Sequence, residues 1–300
     1  MRKVLLPIAL AVCSAALIGA VALAGIALTH GGAPERNSPG SFGVACALSH
    51  VAPDDPIVMP GMAGMAHLHA FFGNTSTSAS STRDSMLTAG TTCSDAADTA
   101  AVWVPVAIVD DQVVVPQREK TYYFRASPTV ETVPADLRAI GGDQHATHPG
   151  APGVTWDCGI GTPRTTHPYD CAPYAGGSIR VDGIVARVDL PTCWNGSTDA
   201  PDHRSNLVYP VRGHCPADHP RAIPRVSIRV HYGIWDPCGG AAPCGPDDAS
   251  AANVSMQLSS GPYYTMHADF WNTWQQDALD GLVARCVRAR EACGVISGDG

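Results

Sequence analysis

Three hundred residues with 45% hydrophobic and 15% charged side chains suffice to bury one large core or two modest ones, which excludes an intrinsically disordered chain. The 27 acidic residues outnumber the 19 basic ones for a formal charge of −8, and Lys3 and Lys120 are the only lysines, so no basic cluster offers a nucleic-acid interface. With 30 glycines and 25 prolines, the composition favours many turns over long helical bundles.

In chain order, Arg2 and Lys3 precede an apolar run from Val4 to Leu28, about the 20 residues that cross a bilayer. Residues 1–28 read as a transmembrane anchor or as a signal peptide, with Ala22-Leu23-Ala24 as a small-x-small cleavage pattern. Either reading places the remainder outside the cytoplasm, anchored in the membrane or secreted. Residues 29–41 (THGGAPERNSPGS) have the composition of a flexible tether. A single extracytoplasmic domain is expected over 42–290, with no second linker, and 291–300 as a tail.

Short apolar runs at 102–109, 113–115, 121–125, 179–190 and 223–235 are separated by turn signals. In the last run Val226, Ile228, Val230 and Tyr232 alternate with Arg225, Ser227, Arg229 and His231, the period of a half-buried strand. A mainly β, sandwich or jelly-roll-like domain is expected, although a barrel gives similar signals. Near the end Trp271, Trp274, Ala278, Leu282 and Cys286 recur at three- and four-residue steps and predict one C-terminal α-helix, with Asn272 and Gln275 fitting a capping signal.

Apart from Cys13, ten cysteines remain: Cys46, Cys93, Cys158, Cys171, Cys193, Cys215, Cys238, Cys244, Cys286 and Cys293. An even number behind an export signal implies disulfides, of a connectivity that sequence leaves open. Pairing of neighbours is one solution. A thiolate zinc site lacks any Cys-x-x-Cys pair.

The segment DDPIVMPGMAGMAHLHAFFGN, from Asp54 to Asn74, is the most distinctive. If extended, its His67-x-His69 pair points both imidazoles to one face about 7 Å apart, suited to two ligands on one metal or to a base beside a substrate oxygen. His267 and Asp269 share that two-residue spacing, and Asp202-His203 and His219 lie in unusual surroundings. His67, His69, His203, His267, Asp202 and Asp269 therefore form a candidate cluster for acid–base work or for Zn or Cu. His30, His145, His148, His167 and His214 read as loop histidines, and His231 falls on the polar phase of its strand. Only four glutamates are present, Glu35, Glu119, Glu131 and Glu291, so paired-carboxylate chemistry would rest mainly on aspartates such as Asp54, Asp55, Asp202 and Asp269. The signatures of dinucleotide binding, P-loops, zincins and α/β-hydrolases are absent from the sequence.

The strings DDPIVMPGMAGMAHLHAFFGNTST, GTTC, CWNG, DHRSNLVYP, CPADHP, LSSG and HADFWNTW resemble an uncharacterised family, the domain of unknown function number nineteen-ninety-six, over about Cys46 to Cys286. Its members are exported proteins of actinobacteria and fungi, sometimes beside a carbohydrate-associated WSC module. The resemblance implies that His67, His69, His203 and His267 are the family histidines. Three departures stand out: Ala66 stands where the family usually has a serine before the first histidine, Asn206 replaces a histidine of its D-H-x-S-H element, and Asn195 replaces the aspartate of its C-W-D-G. Asp55, Asn74, Trp194, Asn206 and Tyr264, within or beside these motifs, are candidate substrate-binding residues. The expected function is binding or cleavage of cell-envelope polysaccharide through the His/Asp cluster. The alternatives are a Zn- or Cu-binding domain and a disulfide-stabilised interaction module without catalysis.

Overall fold

The computed structural model describes residues 40–176, 181–247 and 252–296. The first elements are β1 (Ser41–Ala52), β2 (His69–Gly73), α1 (Arg83–Leu87), β3 (Ala101–Pro105), β4 (Ala107–Val109), β5 (Gln112–Val114) and β6 (Arg118–Phe124). Then come β7 (Arg138–Gly142), β8 (Val154–Asp157), β9 (Val185–Asp189), β10 (Cys193–Trp194), β11 (Leu207–Val208), β12 (Arg221–Ala222) and β13 (Arg225–His231). The chain continues through β14 (Gln257–Leu258), β15 (Gly261–Pro262), β16 (His267–Trp271), α2 (Gln276–Leu282), a π-helical stretch (Val283–Arg288) and β17 (Ala292–Ile296).

One ten-stranded sheet dominates, in the order β7-β16-β3-β2-β1-β6-β13-β9-β8, with β17 added to β1. Two small sheets, β11-β10-β12 and β15-β14-β4-β5, accompany it. Alternate residues of the large sheet, among them Val44, Phe72, Val102, Tyr123, Val188, Ile228 and Phe270, share one buried cluster, because side chains two apart on a strand share a face. The sheet curls until β7 reaches β9 near its far edge: a Cβ on Gly141 would lie 2.7 Å from Val188 and 2.9 Å from Leu190. The architecture is a nearly closed barrel rather than two packed sheets, and that corrects the sandwich expectation. Strand pattern alone fixes which face is buried, not whether one sheet curls or two stack.

The C-terminal helix is shorter than its spacing suggests. Trp271 still belongs to β16, and α2 starts at Gln276 without a side-chain cap. Asn272 instead donates to the carbonyls of Val133 and Pro134. Leu279, Leu282, Val283, Cys286 and Val287 then enter the barrel's cluster. The stretch expected as a tail holds β17, which pairs in parallel with β1, Phe42 opposite Gly294.

Five disulfides join neighbouring cysteines: Cys46–Cys93, Cys158–Cys171, Cys193–Cys215, Cys238–Cys244 and Cys286–Cys293. Such a set is typical of extracellular proteins. The apolar N-terminal run and the tether lie outside the described residues. Among the described residues no helix is long and apolar enough to cross a membrane.

Candidate metal centre

The outer face of the barrel carries a second apolar cluster of Ile57, Phe71, Met86, Ala101, Trp103, Ile140 and Trp271. Apart from Ile57 and from Met86 of α1, its residues come from the phase of β2, β3, β7 and β16 opposite to the core, and the same phase puts His69 on β2 and both His267 and Asp269 on β16. In register, Phe71 and Asp269 both lie opposite Trp103, and His267 lies opposite Gly142. Only glycine fits there: a Cβ on Gly142, at φ +75°, would lie 2.2 Å from the Met266 carbonyl oxygen and 2.9 Å from the His267 Cα.

His67, His69 and His267 can each turn one ring nitrogen to within 4.8 Å of the others, and so can ligand atoms of Asp55, His69 and Asp269. The two triads share His69. The Nε2 atoms of His67 and His267 are 3.2 Å apart, and the rings of His67 and His69 are 4.1 Å apart between centroids. His69 Nδ1 lies 2.9 Å from the Asp54 carbonyl oxygen, and His267 Nδ1 lies 2.9 Å from that of Thr265. A carbonyl only accepts, so both Nδ1 atoms carry the proton and both Nε2 atoms offer a lone pair. Carbonyl-oriented imidazoles of this kind are the usual outer support of metal ligands.

Burial pushes the His67 imidazole down to about 4 and that of His267 to about 3, and His69 falls well below its ordinary value through burial and its two histidine neighbours. All three are neutral near pH 7. Burial raises Asp269 well above the usual carboxylate range, with Asp55 pushing the same way and Arg204 opposing. Burial also raises Asp55, against hydrogen bonds from the Val58 and Ile57 amides and the field of His203. His69 Nε2 and both Asp269 carboxylate oxygens are buried and have no hydrogen-bond partner. A His67–His267 hydrogen bond would satisfy those two rings alone. Three imidazole nitrogens and a carboxylate oxygen form a donor set suited to Zn or Cu.

A sequence profile described as Domain of unknown function (DUF1996) matches residues 55–274. The chain belongs to the DUF1996 family. No curated protein and no solved structure matches it.

In this DUF1996 domain the structure brings together five residues singled out from sequence, His67, His69, His267, Asp55 and Asp269, with Asp55, expected as a substrate contact, grouped instead with His69 and Asp269. The other candidates lie in different settings. His203, at φ +57°, pairs with Asp199 at 3.2 Å, and Asp202 accepts from the Arg204 and Ser205 amides and the Ser205 hydroxyl. These bonds pull the exposed Asp202 carboxyl down to about 2. Asn206 donates to the Arg138 and Thr198 carbonyls. Asn74 donates to the Met86 and Thr99 carbonyls, which ties α1 to the residues just before β3. Trp194 lies under the Arg221 guanidinium at 4.2 Å, and Tyr264 meets Tyr263 edge to face. Asp54 spends its carboxylate on the Gly64 and Ala79 amides.

Two neighbours escaped sequence reading. Arg204 donates to the Gly142 carbonyl at 2.9 Å and acts electrostatically on His267 and Asp269, while the exposed His145 acts on His67 and His267. Arg204 occupies the variable place of the D-H-x-S-H element, and His145 sits in a polar loop, so neither carried a signal. The other two groupings of possible ligands among the described residues, Cys46, Cys93 and Asp98 and then Asp236, Cys238 and Cys244, contain only disulfide-bonded cysteines and offer no thiolate.

Proposed function

We infer that this is an exported metal-binding domain, with Zn or Cu held by His67, His69 and His267 and a carboxylate oxygen from Asp269. The observation that carries this reading is the set of buried polar atoms without partners, His69 Nε2 and both oxygens of Asp269, beside imidazoles of His69 and His267 whose protons are committed to carbonyls. An ion held by the three imidazoles would compensate His69 Nε2, and the Asp269 carboxylate, grouped with His69, would reach it by turning its side chain and giving up the proton that burial keeps on it. His67 is the half-buried ligand and so the side from which an ion enters.

Polysaccharide hydrolysis has less support. Of its candidate acids Asp54 and Asp202 hold turns, and Asp269 is 1% exposed, out of reach of a sugar chain.

The test is metal content per chain of the oxidised protein, beside His67→Ala and His69→Ala variants shown to be folded by circular dichroism. About one ion per wild-type chain, lost in both variants, is the expected result. A wild-type protein that stays metal-free after incubation with Zn and with Cu overturns the reading.

A further inference from the structure

Six methionines follow Met1, and three of them, Met59, Met62 and Met65, stand just before His67. Met86, Met256 and Met266 are buried, as methionine usually is, whereas Met62 and Met65 are 50% and 61% exposed. The stretch reads Met-Pro-Gly-Met-Ala-Gly-Met. The Met62 amide donates to the Met59 carbonyl at 3.1 Å and the Met65 amide to the Met62 carbonyl at 3.3 Å, so two β-turns run in tandem. Gly61 and Gly64 have φ +76° and +75°, the left-handed third position of a type II turn, and Pro60 fills the second position of the first turn. A methionine therefore occupies every corner of the pair. Corner Cα atoms of one turn lie within about 7 Å of each other, and the three rotatable bonds of methionine let the thioethers converge.

The turns are fastened to the proposed centre. Asp54 accepts the Gly64 amide at 2.8 Å with its carboxylate and lies 2.9 Å from His69 Nδ1 with its carbonyl. The Met59 amide donates to the Asp55 carbonyl at 2.9 Å, and the Ala66 amide to that of Pro53 at 3.0 Å.

Thioether sulfur is a soft donor that selects Cu(I) over Zn and over hard cations. We propose that Met59, Met62 and Met65 form a Cu(I)-binding turn that hands its ion to the adjoining imidazole centre. The thioether site stands on the turn alone, and only the destination of the ion rests on the metal centre proposed above.

The experiment titrates the oxidised full chain with Cu(I), kept reduced by ascorbate under nitrogen, against the chromophoric chelator bicinchoninate. The wild type is compared with a Met59→Leu/Met62→Leu/Met65→Leu variant, and Zn binding is measured on both. The expected result is Cu(I) affinity weakened at least about tenfold in the variant, with Zn binding unchanged and sulfur scattering in the X-ray absorption of the wild-type Cu(I) complex. Equal Cu(I) affinity in the two proteins, or a wild type that fails to compete with the chelator, overturns the proposal. If neither protein binds Zn but the variant still loses Cu(I), the turn stands and the imidazole centre falls. Should the triple variant not fold, Met62→Leu/Met65→Leu, confined to exposed positions, reads the same loss.

Discussion

Truncating Asp269 separates a metal ligand from a structural carboxylate by the sign of its effect. The side chain is 1% exposed, and neither oxygen has a hydrogen-bond partner. Such a group costs the metal-free fold about 1–3 kcal/mol, and the small cavity left by Asp269→Ala costs on the order of 1 kcal/mol. Metal-free Asp269→Ala is thus expected to be as stable as the wild type or more stable by up to about 2 kcal/mol. With metal present the order reverses. An ion at about 100 times its Kd stabilises the wild type by about 2.7 kcal/mol, or about 5–11 °C in Tm for a domain of this size. If losing the carboxylate weakens binding about 100-fold, the same metal concentration gives the variant only about 0.4 kcal/mol. Calorimetry of both proteins, stripped with chelator and then reloaded with Zn, reads the four values. A metal-free variant destabilised by about 2 kcal/mol or more, with the metal-induced shift intact, would refute the assignment and make Asp269 a packing residue.

Two further outcomes follow from other parts of the molecule. His231 is pushed down to about 3 by burial and then by Arg118, Lys120 and Arg187, against Asp182; below its ordinary value of 6.5 the unfolded chain binds the proton first, so its contribution to stability falls with acidity, by about 2–4 kcal/mol between pH 6.5 and pH 3. Urea midpoints at pH 7 and pH 4.5 are expected to differ less in His231→Gln than in the wild type, and an unchanged difference would rule out the assignment. Loop closure predicts about 4 kcal/mol from Cys46–Cys93, 47 residues apart, and about 2.5 kcal/mol from Cys286–Cys293, 7 apart; paired Cys→Ala variants compared in urea are expected to keep that order.

What sequence made legible was periodicity. The alternation at 226–232 marks β13, and the two-residue spacings of His67 with His69 and of His267 with Asp269 do bring each pair to one side. The junction of the two pairs was hidden, because 200 residues separate His67 from His267 and only the strand order β2-β3-β16 makes them neighbours. His203 shared the unusual local sequence but pairs with Asp199. The helix misreading has a local cause: Trp271 and Trp274 stand three apart, yet the first donates to the Asp136 carboxylate and the second to the Tyr123 hydroxyl, on opposite faces of the sheet. Spacing cannot distinguish a strand end followed by a turn from the first turn of a helix.

The parallel seam between β1 and β17 joins strands from opposite ends of the described chain. The first strand lacks one partner until the last strand arrives, and the Ser94 hydroxyl that donates to the Ile296 carbonyl waits with it. The seam thus ties the two ends of the domain together beside the main strand path. The imidazoles of residues 67 and 69 likewise meet that of residue 267 only once β16 lies beside β3, so an ion bound there would report a sheet assembled from both ends of the domain.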